Sequence, residues 1–356
     1  MKKARSKKSK VIIAVVCVIA AIAVIFGTAY GFYHSKISLM NFSDGKWFGT
    51  IDENDDSVKN EAADMDKATA DLEEREIIEA EGGIYSSEDV TNILLIGTDE
   101  RSEQFSNNAR GDTCMLLSLN KKEGTVKLVS FERGMGVPIL DGQYKGQYDW
   151  LTHTFRYGGA DLMMREIQEC FKVEVNRYIR VNLSTFIDGI DAIGGIDIEL
   201  TQAEADYINH PQGTYAEYHI AEMKIKDEVQ QVKAGMNHLN GATAMLYARC
   251  RYIDSDWGRV KRQQKVIQAA VNQVKNLSIS EMNNMLNVIL PLVQTNLKES
   301  EISGLLLSAP QFLGAQIESK TLPETGTYGS MTGMGGRKLF AADFEKNSEI
   351  LYEFIY

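Results

Sequence analysis

The sequence predicts an α/β domain with a central mixed β-sheet that helices cover on both faces. Short apolar runs bounded by turn residues alternate with longer segments of helical period. Strands that alternate with helices at such a spacing usually form a sheet with helices on its two faces. The region is also long enough to bury one large core. We therefore assign residues 88–356 to a single domain.

The predicted strands are short and follow one another closely in the first half of this domain. The run N-I-L-L-I ends at Gly97, and a polar turn, 120–124, joins the next two strands. The predicted strands cover residues 92–96, 113–119, 125–131, 178–183 and 196–200.

The predicted helices lie between and after these strands, at 160–171, 183–192, 240–249 and 257–275. The last of them has the clearest start. Asp254, Ser255 and Asp256 are residue types that favour the N-cap, and apolar residues then recur at a helical period.

The N-terminal part predicts a single-pass membrane anchor. Residues 1–10 hold six Lys or Arg and no acid, and residues 11–33 carry no charge. At ~1.5 Å per residue, the uncharged stretch can cross a bilayer core of ~30 Å. The basic segment should stay in the cytoplasm, which places the rest of the chain outside the cell. The alternative is a cleaved signal peptide, but its apolar core would be unusually long and no small-x-small site follows closely.

Residues 34–87 predict a stalk between the membrane and the domain. From about Glu53 to Gly83, Asp, Glu, Ala and Lys dominate and large apolar residues are few. Such a composition is typical of a solvated linker or helix.

Composition excludes several functional classes. The formal net charge of −11 argues against a nucleic-acid binder. No P-loop, G-x-G-x-x-G, G-x-S-x-G or H-E-x-x-H motif is present. Cys17 lies in the predicted anchor, and Cys114, Cys170 and Cys250 have no paired spacing, so one disulfide among these three remains an open possibility.

A cluster of arginines predicts a binding site for a phosphate-rich ligand. Arg249, Arg251, Arg259 and Arg262 lie within fourteen positions, in an otherwise acidic chain. A guanidinium stays protonated and matches phosphate oxygens with a planar fork of donors. Arg259 and Arg262 fall in the opening turns of a predicted helix, where backbone N–H groups also favour anions. The alternative is an ordinary solvated, basic helix face.

Two acids stand at the ends of predicted strands in the first half. Asp99 follows the first strand, and Asp112 directly precedes the second. Ligands gather at strand ends in open α/β sheets, and Mg²⁺ takes one or two carboxylates plus phosphate oxygens. The pair therefore suggests a shared Mg²⁺ site, although either aspartate alone would be explained by capping a turn.

Taken together, these segments resemble the LytR-CpsA-Psr family of bacterial envelope proteins. The similarity covers essentially all of residues 89–356 and lies in a set of motifs in fixed order. They are N-I-L-L-I-G-T-D-E-R at 92–101, A-R-G-D-T-C-M-L-L-S-L-N at 109–120, V-K-L-V-S-F-E-R at 126–133, Y-G-G at 157–159, I-D-A-I-G-G-I-D-I at 190–198, L-Y-A-R-C-R at 246–251 and D-W-G-R-V-K-R-Q-Q at 256–264.

The resemblance implies an enzyme that moves a teichoic acid or capsular polysaccharide from a polyprenyl-pyrophosphate carrier to peptidoglycan, with the lipid tail in an apolar tunnel between sheet and helices. It implies that Asp99 and Asp112 hold Mg²⁺ and that Arg251, Asp256 and Arg259 are catalytic, with Asp256 near the centre and one candidate for general base. The pyrophosphate-binding residues that it implies are Arg110, Arg133, Arg249, Arg251, Arg259, Arg262 and Gln263.

One motif departs from the family pattern. The family usually has Pro-Arg-Asp after the third strand, and this chain has Glu132, Arg133 and Gly134. If the missing aspartate normally fixes the arginine, Arg133 is less well held here or another residue replaces that aspartate. The departure leaves a second interpretation open, a non-catalytic binder of polyprenyl phosphates or an envelope-regulatory protein.

Overall fold

The computed structural model describes residues 31–52, 56–100, 105–107, 109–210, 220–221, 225, 228–250, 253–254, 256–312 and 314–356. The chain divides into a short unit, Met1–Met40, and a large unit, Asn41–Tyr356. In the short unit, residues 31–37 are helical. The predicted cytoplasmic segment, 1–10, and most of the predicted span, 11–30, lie outside the described residues. Within these ranges, no helix combines the length and apolarity that crossing a bilayer requires.

The large unit is built on a mixed sheet. The strands are β1 (Asn41–Phe42), β2 (Val90–Gly97), β3 (Thr113–Asn120), β4 (Thr125–Phe131), β5 (Gly136–Pro138), β6 (Tyr148–Trp150), β7 (Tyr178–Val181), β8 (Ile196–Leu200), β9 (Gly235–Leu239), β10 (Gln294–Thr295), β11 (Ile317–Leu322), β12 (Tyr328–Thr332) and β13 (Lys338–Ala342). The strand order of the mixed sheet is β1-β10-β7-β2-β3-β4-β11, and smaller antiparallel pairs join β5 to β6, β8 to β9 and β12 to β13.

In the central sheet, β3 is antiparallel to β2 and β4, whereas β2 runs parallel to β7 and β4 parallel to β11. The helices that flank this sheet are α1 (Asp56–Thr69), α2 (Leu151–Phe171), α3 (Leu183–Ala192), α4 (Gln202–Asn209), α5 (Gly241–Ala248), α6 (Asp256–Val274), α7 (Ile279–Ile289), α8 (Glu299–Ser308) and α9 (Phe344–Ile355). A mixed sheet flanked by helices confirms the predicted fold class.

Each face of the sheet has its own hydrophobic core. On one face, Leu94 and Leu116 of the central strands are fully buried together with apolar residues of α2 and α9. The second cluster is formed by α3, α5, α6, α7 and the β8–β9 pair, with Ile196, Leu239 and Tyr247 fully buried in it. Cys114, Cys170 and Cys250 are buried and free, so the disulfide left open by the sequence does not form.

Helix α2 begins at Leu151, well before residue 160 where we predicted it. The glycines of the Y-G-G motif, which ordinarily interrupt helices, lie inside it, and Gly159 has a non-helical backbone with φ of 76°. A Cβ atom at Gly159 would lie 2.0 Å from the carbonyl oxygen of Gly45. The glycine therefore lets two backbone segments meet while helix continues on both sides of it.

The segment predicted as a stalk lies largely inside the large unit. Residues 41–87 cluster with the rest of the domain, β1 extends the central sheet beside β10, and α1 buries Val58 and Met65. The compact unit therefore begins at Asn41, upstream of the predicted boundary at residue 88. A few buried side chains on one helix face are enough to dock a segment whose overall composition is that of a solvated linker.

Candidate functional site

A cavity of ≈ 270 Å³ lies between the central sheet and the second helical layer. Its floor includes Met115, Leu95 and Ile179, which are paired across β3, β2 and β7 and so project from the same face. Apolar side chains of α3, α5 and α6 form the walls: Leu183, Phe186, Met245, Ala248, Val266 and Ile267. The result is a mainly apolar pocket inside the fold.

Charged and amide side chains line one part of this cavity. Asp112 directly precedes β3, and Arg249 directly follows α5. Arg259 and Gln263 lie one turn apart on α6. Arg249 Nη1 is 4.0 Å from Asp112 Oδ2. One predicted metal ligand, Asp112, and two predicted phosphate-binding residues, Arg249 and Arg259, therefore line the same pocket.

Asp99 and Arg110 are held to each other. The Arg110 backbone N–H donates to Asp99 Oδ1 over 2.9 Å, and its side chain donates from Nε and Nη2 to Oδ2 over 3.0 and 2.8 Å. Such a two-pronged contact fixes the orientation of both groups. Asp99, predicted as a metal ligand, and Arg110, predicted to bind pyrophosphate, therefore form one partly buried pair.

Glu61 of α1 joins two of the predicted phosphate-binding arginines. Arg133 Nη1 donates to Glu61 Oε1 over 2.6 Å, and Arg110 Nη1 is 2.9 Å from Glu61 Oε2. Arg133 Nη1 is only 3.9 Å from Asp112 Oδ1. Asp99, Glu61 and Asp112 thus surround the two guanidinium groups with negative charge.

The electrostatics of Arg110 follow from this packing. Burial alone would lower the pKa of its guanidinium, but the charges of Asp112, Glu61 and Asp99 outweigh that effect and raise it above its ordinary value. Arg110 is therefore a permanent cation, and it offsets the mutual repulsion of three carboxylates.

Arg262 has a different set of contacts from those we predicted. It donates to both oxygens of Asp254 over 2.8 and 2.7 Å and to the carbonyl oxygen of Cys250 over 2.9 Å, and Glu204 Oε1 is 3.5 Å away. It is buried and does not line the cavity. Its contacts therefore hold the segment after α5 against α6.

Two predicted catalytic residues cannot be placed. Arg251 and the side chain of Asp256 lie outside the described part of the structure, although the backbone of Asp256 opens α6. Arg259 lies in the first turn of α6. Backbone N–H groups in the first turn of a helix have no intrahelical partner, and they favour an anion.

Glu132, the acid that departs from the family pattern, is fully buried. Burial, together with the charge of Glu132, raises the pKa of the Tyr328 hydroxyl, which places this carboxylate near β12. Glu132 is absent from the lining of the cavity.

Sequence analysis missed Glu61 as a site residue. Its partner Arg133 is 72 positions away, and its own segment is rich in charge. A weak signal exists, because Val58, Glu61 and Met65 recur at helical spacing and share the buried face of α1. That pattern indicates a docked helix, but it does not identify what the carboxylate contacts.

Comparison with known proteins gives the family. The family model described as the LytR_cpsA_psr family matches residues 55–353, which includes α1 and every element of the site. The chain belongs to the LytR-CpsA-Psr family. The predicted resemblance is therefore confirmed.

Relatives and solved structures of this family are similar to the chain at modest identity. The polyisoprenyl-teichoic acid–peptidoglycan teichoic acid transferase TagU of Bacillus cereus is 29% identical over 220 residues, which cover 61% of this chain and 64% of the relative. TagU of Oceanobacillus iheyensis is 30% identical over 261 residues, 70% of this chain and 72% of that protein. The match to the first of these thus spans less than two thirds of its length.

The solved structures of this family share the fold. Bacillus subtilis TagV superposes with a TM-score of 0.58 at 22% identity, over 76% of this chain and 98% of that one. A Streptococcus agalactiae protein gives a TM-score of 0.61 at 23% identity, over 75% and 88%. TagT bound to LI-WTA gives 0.57 at 23% identity, over 79% and 97%.

Proposed function

We propose that this LytR-CpsA-Psr protein is a membrane-anchored, Mg²⁺-dependent phosphotransferase that moves a glycopolymer from a polyprenyl-pyrophosphate carrier to peptidoglycan. The observation that carries the proposal is the cavity with an apolar floor and an arginine-lined part. Teichoic acid is our first choice of polymer because TagU proteins are named teichoic acid transferases.

The apolar part of the cavity suits a hydrocarbon tail. The side chains of the floor, Leu95, Met115 and Ile179, have no hydrogen-bonding groups. A polyprenyl chain can therefore lie against them without leaving any polar group unsatisfied. A tail held there brings the diphosphate to Arg249 and Arg259. A free glycan phosphate lacks such an anchor and should bind more weakly.

The polar part suits the reacting diphosphate. Arg249, Arg259 and the first turn of α6 supply positive charge, and Gln263 supplies an amide donor. Charge accumulates on the departing polyprenyl phosphate as the pyrophosphate bond breaks, so pre-oriented guanidinium groups lower the barrier. Arg251 would add a further cation from the same segment.

Asp99 and Asp112 are the carboxylates that we assign to Mg²⁺. Among the described residues, no group of three or more His, Cys, Asp or Glu side chains could hold a metal. Two carboxylates completed by water and phosphate oxygens are nevertheless a donor set that Mg²⁺ accepts. When bound, the metal would neutralise charge on the diphosphate oxygens.

The proposed reaction is a single displacement at phosphorus. A sugar hydroxyl oxygen of peptidoglycan forms a bond to the phosphorus that carries the glycopolymer, and the bond from that phosphorus to the bridging oxygen breaks. Polyprenyl monophosphate leaves with the electron pair, and the hydroxyl proton goes to a base. Asp256 is our candidate for that base, since it begins the helix that carries Arg259.

The test uses the full chain in mild detergent, a polyprenyl-pyrophosphate oligosaccharide, peptidoglycan oligomers and Mg²⁺. We expect oligosaccharide transfer with release of polyprenyl monophosphate, and a fall of about 100-fold in kcat for Arg259→Ala. Lys261→Ala is the matched control, because Lys261 is exposed on the same helix and should keep full activity.

Failure of the wild-type chain to cleave or transfer under any Mg²⁺ concentration would reject the enzyme. Tight binding of the lipid without turnover would support the non-catalytic binder instead. The Gly134 departure favours that second candidate, because it changes the surroundings of Arg133.

A further inference from the structure

The resemblance to the family implies an aspartate after Arg133, and in this chain Gly134 occupies that position. A carboxylate from α1 contacts Arg133 instead. Glu61 Oε1 accepts a 2.6 Å hydrogen bond from Arg133 Nη1, and both side chains are only 4% exposed. A buried, charge-assisted contact of this length fixes a guanidinium strongly.

The space beside Gly134 is filled by the same helix. A Cβ atom at position 134 would lie 2.4 Å from the sulfur of Met65 and 2.6 Å from its terminal methyl carbon. Met65 follows Glu61 by four positions, so the two side chains lie on one face of α1. A side chain at residue 134 would therefore require the flexible end of Met65 to move from its present position.

Removal of Glu61 would also disturb Asp112. Arg133 Nη1 is already 3.9 Å from Asp112 Oδ1, and Asp112 lines the cavity. Without the Glu61 carboxylate, Asp112 is a counter-charge that already lies within 4 Å of Arg133. Closure of that contact would change the position of the Asp112 carboxylate, which lines the cavity.

We propose that Glu61 is a positioning residue of the phosphate site, supplying from α1 the carboxylate that Gly134 lacks. It holds Arg133 and Arg110 at fixed places and keeps Arg133 off Asp112. This inference rests on the proposed function for its consequence in binding, but its structural content, the ordering of Arg133, is independent of any substrate.

The first measurement follows Arg133 itself. In the full chain labelled with ¹⁵N-arginine, the Arg133 side-chain NMR signal, identified with Arg133→Lys, should be sharp in the wild type and broadened in Glu61→Gln. Asp66→Asn is the matched control, because Asp66 is an exposed acid on the same helix and its loss removes the same charge. It should leave the signal unchanged.

The second measurement is the affinity for farnesyl pyrophosphate in the presence of Mg²⁺. We expect Glu61→Gln to weaken binding about tenfold and Asp66→Asn to change it less than about twofold. Glu61→Asp should be intermediate, since it keeps the charge on a shorter side chain. Melting temperatures verify that each variant is folded when it is measured.

The decisive variant restores the family arrangement. Met65→Ala makes room for a side chain at 134, and Gly134→Asp places a carboxylate next to Arg133. Combined with Glu61→Gln, these changes should bring back the sharp Arg133 signal and most of the affinity. A purely structural role for Glu61 in docking α1 would gain nothing from an aspartate at residue 134.

The outcomes separate the two proposals. An unchanged Arg133 signal in Glu61→Gln, or a folded triple variant with no recovery, would overturn the positioning role. A wild type that fails to bind farnesyl pyrophosphate while Arg133 responds as described would count against the proposed function and leave the role of Glu61 standing.

Discussion

Glu166 is a buried acid that the site does not use. Its Oε1 accepts a 2.8 Å hydrogen bond from the backbone N–H of Leu140, and the side chain is fully buried in α2. Burial outweighs that hydrogen bond and raises the pKa of the Glu166 carboxyl to about 8. The folded protein therefore retains a proton here that the unfolded chain, with a carboxyl pKa of ~4.3, releases in acid.

This retained proton predicts a pH dependence of stability. Because the folded state binds more protons than the unfolded state between pH ~4.3 and ~8, the free energy of unfolding should fall as the pH rises through that window. Glu166→Gln should remove this slope and stabilise the protein at pH 8 by about 1–3 kcal/mol. Denaturant unfolding at several pH values measures it. Glu169 is a half-exposed neighbour on α2 whose charge makes only the smallest contribution to the raised pKa of Glu166, so Glu169→Gln should keep most of the wild-type slope.

The arginines of the site fall into two groups by their partners. Arg110 and Arg133 contact buried carboxylates, whereas Arg249 and Arg259 line the cavity. Sequence alone gives all four the same role, because a motif records residue type and spacing and not the partner. Arg262 illustrates this point, since it stands within the same motif as Arg259 but contacts Asp254 and Cys250.

Strand β2 separates a packed core from the cavity. Leu94 is paired with Leu116 and Tyr178 and is fully buried on one face, whereas Leu95 lies in the cavity floor on the other. Leu94 therefore contributes to the stability of the core, whereas the adjacent Leu95 shapes the cavity.

Because the two faces differ, a leucine-to-phenylalanine substitution should have different effects at these neighbouring positions. Leu94→Phe overfills a close-packed core and should cost about 1–3 kcal/mol of stability. Leu95→Phe extends into the cavity, so it should weaken farnesyl pyrophosphate binding with little change in melting temperature. Thermal unfolding and ligand titration of both variants measure these effects. Equal loss of stability in both would show that the floor of the cavity is packed like the core.

The elements that sequence predicted best are those set by local pattern. Residues 125–131, 183–192 and 196–200 match observed elements end to end, because alternating or helical apolar spacing defines them. The predicted start of α2 was wrong, because Gly159 is tolerated inside the helix through its close approach to Gly45. That approach depends on the tertiary fold, which local sequence does not reveal. Glu61 was missed for the same reason, since docking of α1 depends on surfaces far along the chain.

The arrangement of the full chain leads to a prediction about its location. The basic segment 1–10 and the uncharged residues 11–33 favour a cytoplasmic N-terminus, one membrane span and an external domain. The protein should sediment with membranes, and protease added to intact spheroplasts should digest the large unit. A cytoplasmic marker protein must remain intact in the same sample. Survival of the large unit would place it inside the cell and reject an external site.

The position of Glu61 has a practical consequence for anyone who prepares this protein in truncated form. A fragment cut at residue 88 would retain each motif that relates the chain to its family, yet it would lack the acid that Arg110 and Arg133 share. Inactivity of such a fragment would then reflect the loss of this shared carboxylate and not an inability to catalyse transfer. Truncation should begin no later than Asn41, where the compact unit starts.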